Sequence, residues 1–250
     1  MLTPERHQII LDLVKNKGII KLQELVAATK SSESTIRRDL IYLEEKNYIK
    51  RVHGGASPLQ SKGKEPSMNE KSFKNLQEKK SIGQYAASLV EDGHCIYLDA
   101  GSTTFEMIPF LQGKDITVVT NGLMHIEALF QANIRAYLLG GMMKSNTRAL
   151  IGSAALESLL RYRFDFCFLG ANAIHPVYGY TTPDPEEALL KKTAMQLSNS
   201  CYVLADGSKF SEISFAKIEE LEAANIIATN IGENEVAPYA KKTLIKVVTV

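Results

Sequence analysis

Along the first fifty residues apolar positions recur at helical spacing, and beyond residue 90 they gather into short runs of six to eight residues. Ile9, Ile10, Leu13 and Val14 form one stripe, which predicts a first helix. Thr3-Pro4-Glu5 reads as its start: Thr3 as N-cap, proline at the first helical position, then a carboxylate beside the helix dipole. Gly18 ends it, and Leu22, Leu25 and Val26 predict a short second helix. After the polar turn Thr29-Lys30-Ser31, Ser31 or Ser32 caps a third helix whose Ile36, Leu40 and Leu43 share one face. Ser34, Thr35, Arg37 and Arg38 fall on or beside the opposite face. Tyr48 to Val52 reads as a strand, followed by His53, Gly54 and Gly55.

This order predicts a helix-turn-helix with a wing. The third helix of such a unit enters the major groove with its N-terminal residues at the base edges. Candidate DNA contacts are therefore Ser32, Ser34, Thr35, Arg37 and Arg38 on the helix, and Arg51, His53, Gly54 and Gly55 on the wing. Arginine can grip guanine edges or phosphates, hydroxyls can bond to either, and glycine lets backbone approach a phosphate. The bland alternative is a solvated arginine pair held by Glu33 or Glu44.

Residues 58–70 are polar and carry two of the prolines, so the domain boundary falls there: 1–57 as the DNA-binding domain and 71–250 as the second domain. A helix is predicted over 71–90, with Leu76, Ile82, Ala86 and Leu89 inside. Strand-like runs follow at 95–100, 116–121, 134–141, 164–171 and 201–206, separated by helical patterns at 104–112, 123–131, 152–162 and 185–199. Such alternation predicts an α/β domain with a largely parallel sheet. Ligands in these sheets bind beyond the carboxyl ends of the strands.

Small and hydroxylated residues recur at those ends. Asp99, Gly101, Ser102, Thr103 and Thr104 follow the first run, Thr120 and Asn121 close the second, and Gly140 and Gly141 close the third. Thr181 precedes Glu187 and Lys191, and Asp206, Ser208 and Lys209 follow the fifth. Together they suit a sugar phosphate: lysines for the anion, aspartates for sugar hydroxyls. Each alone is more often a turn former. The dinucleotide and Walker-type glycine patterns are absent, which argues against those cofactors.

Charge changes the picture further. Net charge is +1, but residues 1–80 hold 16 Lys and Arg against 10 Asp and Glu, and residues 81–250 hold 13 against 18. A basic first third is expected where one end meets a polyanion. Composition is otherwise that of a globular protein, 45% hydrophobic and 23% charged. No run suits a membrane span, and Pro4-Glu5-Arg6-His7 interrupts any signal-peptide core. Cys95, Cys167 and Cys201 read as buried thiols in a reducing compartment, hence a cytoplasmic protein. His7, His53, His94, His125 and His175 show no metal spacing and read as surface or wing residues; no metal site and no catalytic triad is expected.

Thr35–Leu40, T-I-R-R-D-L, followed by Arg51–Ala56, R-V-H-G-G-A, resembles the signature of DeoR-type transcriptional regulators. Lys30 and Ser31 stand where that family usually has Gly or Asn and then an aliphatic residue. D-A-G-S-T-T (99–104), V-T-N-G (119–122), L-G-G (139–141) and A-D-G-S-K-F (205–210) resemble its effector domain, which is similar in fold to ribose-5-phosphate isomerase. The stretches GYTTPDPEEALLKK and ISFAKIEE look closest to fructose operon repressors of Gram-positive bacteria. The resemblance implies repression of a fructose operon, fructose 1-phosphate as effector, and an effector response through Lys71, Lys79, Asp206 and Lys209. Gly207 stands where the family's loop usually has a bulkier residue. The expected partners are operator DNA, a sugar phosphate and further copies of the chain, as a dimer or tetramer. The competing expectation is a sugar-phosphate isomerase with a DNA-binding appendage, Asp99 or Glu187 as base and Lys191 as its acid partner.

Overall fold

A computed structural model describes residues 2–46, 48–52, 54–58 and 65–250. His53 and linker residues 59–64 lie outside the described residues. The chain divides into two compact units, Met1–Ser61 and Lys62–Val250.

The first unit comprises α1 (Thr3–Lys17), β1 (Ile20–Lys21), α2 (Leu22–Thr29), α3 (Glu33–Glu45), β2 (Ile49–Val52) and β3 (Gly55–Pro58). Ile10, Val14, Ile20, Leu25, Ile36, Leu43 and Ile49 are its nearly solvent-free core, each worth roughly 1.5–3 kcal/mol of transfer free energy. The cap of α1 is Leu2 rather than Thr3: Leu2 is extended, and Glu5 reaches back to accept from its N–H at 3.1 Å. Ser32 caps α3, accepting from Thr35 N at 3.3 Å. Between α2 and α3, Lys30 takes the left-handed conformation (φ 49°), normally left to Gly or Asn. The small sheet runs β1-β3-β2, antiparallel throughout. Gly55 permits its closest crossing, since a Cβ there would lie 2.0 Å from Ile20 O.

The second unit opens with α4 (Met68–Phe73) and α5 (Leu76–Ser88), not the single helix expected over 71–90. Asn75 breaks the run at φ 54°, a conformation Asn tolerates. Then come β4 (Cys95–Leu98), α6 (Ser102–Phe105), β5 (Thr117–Thr120), α7 (Leu123–Gln131), β6 (Arg135–Leu138), the hairpin β7 (Met142–Met143) and β8 (Leu150–Ile151), and α8 (Ser153–Leu159). The chain continues through β9 (Phe164–Gly170), β10 (Ala173–His175), β11 (Gly179–Thr182), α9 (Pro185–Gln196), β12 (Ser198–Asp206), β13 (Ala216–Glu219), β14 (Asn225–Thr229), α10 (Glu233–Ala240) and β15 (Ile245–Val247). The helix expected over 104–112 is instead α6 plus a 3-10 turn, Ile108–Leu111.

Seven strands form one parallel sheet in the order β15-β14-β12-β9-β4-β5-β6. Alternate residues of β4 face opposite cores: Ile96 and Leu98 join one cluster and Tyr97 the other. This two-sided burial is why the strands read as continuous apolar runs. A further antiparallel sheet, β10-β11-β13, had no distinct signature in the pattern. The chain runs outward from β4 to β6, then returns to place β9 on the other flank of β4. The ends of β4 and β9 therefore mark the switch point, where such sheets open a crevice. Cys95 is exposed, against expectation, as the first residue of β4; Cys167 and Cys201 are buried as register partners. All three are free thiols.

Candidate functional site

In the first unit, α3 and the β2–β3 wing flank an open groove lined by Arg37, Leu40, Ile41, Arg51, Val52, Gly54 and Gly55. The capping that starts α3 also organises its hydroxyls: Ser32 Oγ lies 3.0 Å from Ser34 Oγ and 2.8 Å from Thr35 Oγ1. Arg37 is exposed and pairs with Glu33 at 2.6 Å, one helical turn away. Arg38, also exposed, reaches Ser34 O at 3.4 Å. Arg51 pairs with Glu44 at 2.6 Å, and Glu44 also accepts from Arg51 N at 2.8 Å. Gly54 makes the turn of the wing at φ 77°. Of the candidate contacts, Arg37, Arg51, Gly54 and Gly55 line this groove, and its two arginines are held by carboxylates. Beneath them Asp39 is buried and bonded to Arg6 and His7, so His7 is a packing partner and not a surface residue.

In the second unit the switch point holds a buried ion pair. Asp99, just after β4, accepts from Lys191 Nζ and from Gly170 N at 3.1 Å. Lys191 also donates to Gly170 O at 3.1 Å. Burial works against the Lys191 charge, but Asp99 and Glu187 more than offset it and raise its pKa. Glu187 and Lys191 are one helical turn apart on α9, which carries both inward. Asp184 caps α9, accepting from Glu186 N at 2.9 Å.

Lys144, in the β7–β8 hairpin, joins this group. It contacts Asp184 at 2.8 Å, Glu187 at 2.9 Å and Glu65 at 2.5 Å. Glu65 also pairs with Lys71 at 2.5 Å. Burial pushes the Glu65 carboxyl up, yet Lys71 and Lys144 outweigh it and leave the pKa at about 2. At the end of β12, Asp206 accepts from Ser208 N at 2.9 Å and from Ser208 Oγ. Lys79 is buried and donates to Lys71 O; burial lowers its pKa to about 8, against the pull of Asp206. Burial lowers Lys209 as well. A Cβ on Gly207 would lie 2.1 Å from Asn230 O, so this loop has no room for the bulkier residue.

The other candidates are largely occupied with holding loops. Thr104 donates to Asp99 O at 2.6 Å, and Gly101 N donates to Thr104 Oγ1 at 3.1 Å. Ser102 and Thr103 are buried. Thr120 accepts from Gly122 N at 3.0 Å, and Asn121 ties Ala100 N (2.9 Å) to Leu150 O (3.3 Å). Thr181 accepts from Ser214 N at 2.8 Å. Gly140 and Gly141 are exposed and lead into the hairpin that carries Lys144. His125, expected at the surface, is fully buried 3.2 Å from Thr104, and burial lowers its pKa to about 4. Asp99, Glu187 and Lys191 meet, as do Lys71, Lys79, Asp206 and Lys209. Lys144, Glu65, Asn172 and Asp184 escaped the sequence pattern. Only the N-cap signature of Asp184-Pro185 could have flagged one of them.

The chain matches the DeoR-like helix-turn-helix domain over residues 6–62 and the DeoR C terminal sensor domain over residues 74–230. It is 54% identical over 249 residues to a regulator of Bacillus subtilis strain 168 named "Uncharacterized HTH-type transcriptional regulator FruR", covering 99% of each chain. It is 33% identical over 248 residues to the lactose phosphotransferase system repressor of Staphylococcus aureus, covering 98% of each. Among solved structures, ribose 5-phosphate isomerase A of Methanocaldococcus jannaschii aligns at 20% identity and a TM-score of 0.41, covering 54% of this chain and 55% of its own.

Proposed function

This chain belongs to the DeoR family of helix-turn-helix regulators, and we propose that it represses a fructose-utilisation operon and is released from it by fructose 1-phosphate. The observation that carries the effector half is the gathering of Lys71, Lys79, Lys144, Lys191 and Lys209 with carboxylates at the carboxyl edge of the parallel sheet. Lysines supply the phosphate's counter-charge, and Asp99 and Asp206 accept from sugar hydroxyls. Fructose follows from the motif resemblance, and the relative of 54% identity bears the name FruR.

On DNA, phosphate contacts supply most of the affinity, and the side chains at the start of α3 set sequence. The chain acts as a dimer or tetramer, since paired half-sites need paired reading heads. Binding of effector and operator are coupled by roughly 1–3 kcal/mol, and the coupling is reciprocal. The chain is a regulator rather than an isomerase. Its relatives carry regulator names, and the candidate base Asp99 and candidate acid Lys191 neutralise each other.

The test is fluorescence anisotropy of a labelled fragment from upstream of the neighbouring sugar-uptake operon. Fructose 1-phosphate, fructose 6-phosphate, tagatose 6-phosphate and free fructose are titrated in turn. Release by fructose 1-phosphate alone is expected. Tight DNA binding indifferent to all four would remove the effector assignment, and turnover of a sugar phosphate would revive the enzyme.

A further inference from the structure

The side chain of Glu65 is buried in a cluster of lysines and carboxylates. It lies seven residues after Pro58, the last residue of the wing, and before α4 begins at Met68. Even so, its side chain is only 5% exposed. Oε1 accepts from Lys71 Nζ at 2.5 Å and from Asn172 Nδ2 at 3.3 Å, and Oε2 accepts from Lys144 Nζ at 2.5 Å. The three donors come from α4, the β7–β8 hairpin and the loop after β9, all parts of the folded framework. The loop after β9 lies at the switch point, where this class of sheet binds its ligands.

Two of the three donors, Asn172 and Lys144, are also held by groups other than Glu65. Asn172 Oδ1 accepts from Thr182 Oγ1 at 3.0 Å, which turns the amide nitrogen toward the carboxylate. Lys144 is fixed by Asp184 and Glu187. With Glu65 in place, five lysines (Lys71, Lys79, Lys144, Lys191, Lys209) face five carboxylates (Glu65, Asp99, Asp184, Glu187, Asp206). With Glu65 withdrawn, one positive charge is unmatched, and two ammonium groups and an amide point at the place it left. A phosphate monoester offers the same acceptor oxygens as a carboxylate and a second negative charge.

We propose that Lys71, Lys144 and Asn172 form the phosphate seat of the effector site, and that Glu65 is its internal occupant, so that a sugar phosphate binds by displacing Glu65. The proposal deepens the reading of the chain as a sugar-phosphate-responsive regulator and rests on it. Displacement releases Glu65, just ahead of α4, from the folded framework. It also lowers the apparent affinity for effector by the fraction of molecules with Glu65 seated.

The experiment is calorimetric titration of the full-length chain with inorganic phosphate and with fructose 1-phosphate, for the wild type, Glu65→Gln, Glu65→Ala and Asn172→Ala, with circular dichroism melts to establish folding. Both Glu65 variants should bind both probes about tenfold more tightly, because the competitor is gone. Asn172→Ala changes no charge and should weaken both by about tenfold, the worth of a hydrogen bond to a charged group. If the Glu65 variants gain affinity for inorganic phosphate while fructose 1-phosphate binds no form, the seat stands and the choice of sugar falls. If fructose 1-phosphate binds the wild type and neither Glu65 variant gains for either probe, the sugar stands and the seat is overturned. Should the Glu65 variants not fold, an Asn172→Ala affinity equal to that of the wild type overturns it.

Discussion

Arg6 in α1 holds Asp39 in α3 by two bonds, the second from Nη2 to Oδ1 at 3.0 Å. Both side chains are close to fully buried, at 11% and 7% exposure. Burial pushes the Asp39 carboxyl up, and Arg6 with His7 pulls it back below its ordinary value. Removing one member leaves the other charged and desolvated. Asp39→Asn should therefore destabilise the helix-turn-helix unit by about 3 kcal/mol. The carboxylate's contribution is present above its unfolded pKa, near 4, and is lost as pH falls through the lower folded value. Denaturant melts at pH 7 and pH 3 check this: the penalty of the variant should shrink at the lower pH.

The arginines of α3 and β2 differ in what they must give up to reach DNA. Arg51 has to leave Glu44, whereas Arg38 leaves only a long bond to a backbone carbonyl. Arg38→Ala should weaken operator binding about tenfold or more and, if it meets a phosphate, reduce the salt slope by about one. Glu44→Gln should tighten binding a few-fold at low salt by releasing Arg51. Anisotropy titrations from 50 to 200 mM salt read both, and an Arg38→Ala slope and affinity equal to wild type would assign Arg38 to solvent.

The first unit was legible because its signals are local. Ser32 as cap, Ile36, Leu40 and Leu43 as buried face, and Gly54 as wing turn all lie within a few residues of what they determine. The strands β4, β5 and β9 were legible because both faces are buried and the runs are continuous. Asn75 hid the break between α4 and α5, since nothing nearby distinguishes a left-handed asparagine from one inside a helix. The cluster was half legible. Asp99 and Lys191 sat in recognisable motifs, but Lys144 meets Glu65 across 79 residues and Asn172 meets it across 107. Such pairs are set by sheet order, which periodicity does not encode. His125 was misplaced for the same reason: Thr104, which receives it, is 21 residues away on another element.

Gly207 sits so close to Asn230 that a single methyl group has nowhere to go. The obstacle is backbone, which cannot rotate aside. Gly207→Ala should cost about 1–3 kcal/mol through a backbone shift and displace the Asp206–Lys209 loop. A lower melting temperature with weakened fructose 1-phosphate binding is expected. Unchanged melting would mean that the two segments can separate freely.

Lys209 is a cation in a site where burial already disfavours its charge. Retaining an ammonium there makes sense if an anion arrives to meet it. Lys209→Ala should leave operator affinity unchanged and raise the fructose 1-phosphate concentration needed for release by about tenfold or more. A normal release curve in the anisotropy assay removes Lys209 from the site.

Lys79 offers a test by pH alone. It is 3% exposed, donates to Lys71 O, and has a pKa of about 8 against the 10.5 of a free lysine. The unfolded chain therefore binds more protons than the folded one between those two values. Stability should rise with pH across that window, by up to about 3 kcal/mol, and the penalty should be fully present below pH 8. An anion drawn into the neighbouring cluster favours the charged form, so effector binding should take up protons near pH 8. Lys79→Met removes both effects: its stability should be flatter between pH 8 and 10, and its effector binding should show no proton uptake. The first is read from denaturant midpoints, the second from calorimetry in buffers of different ionisation enthalpy. Wild-type proton uptake that persists in Lys79→Met would move the titrating group to Lys209, the other lysine whose pKa burial lowers in this cluster.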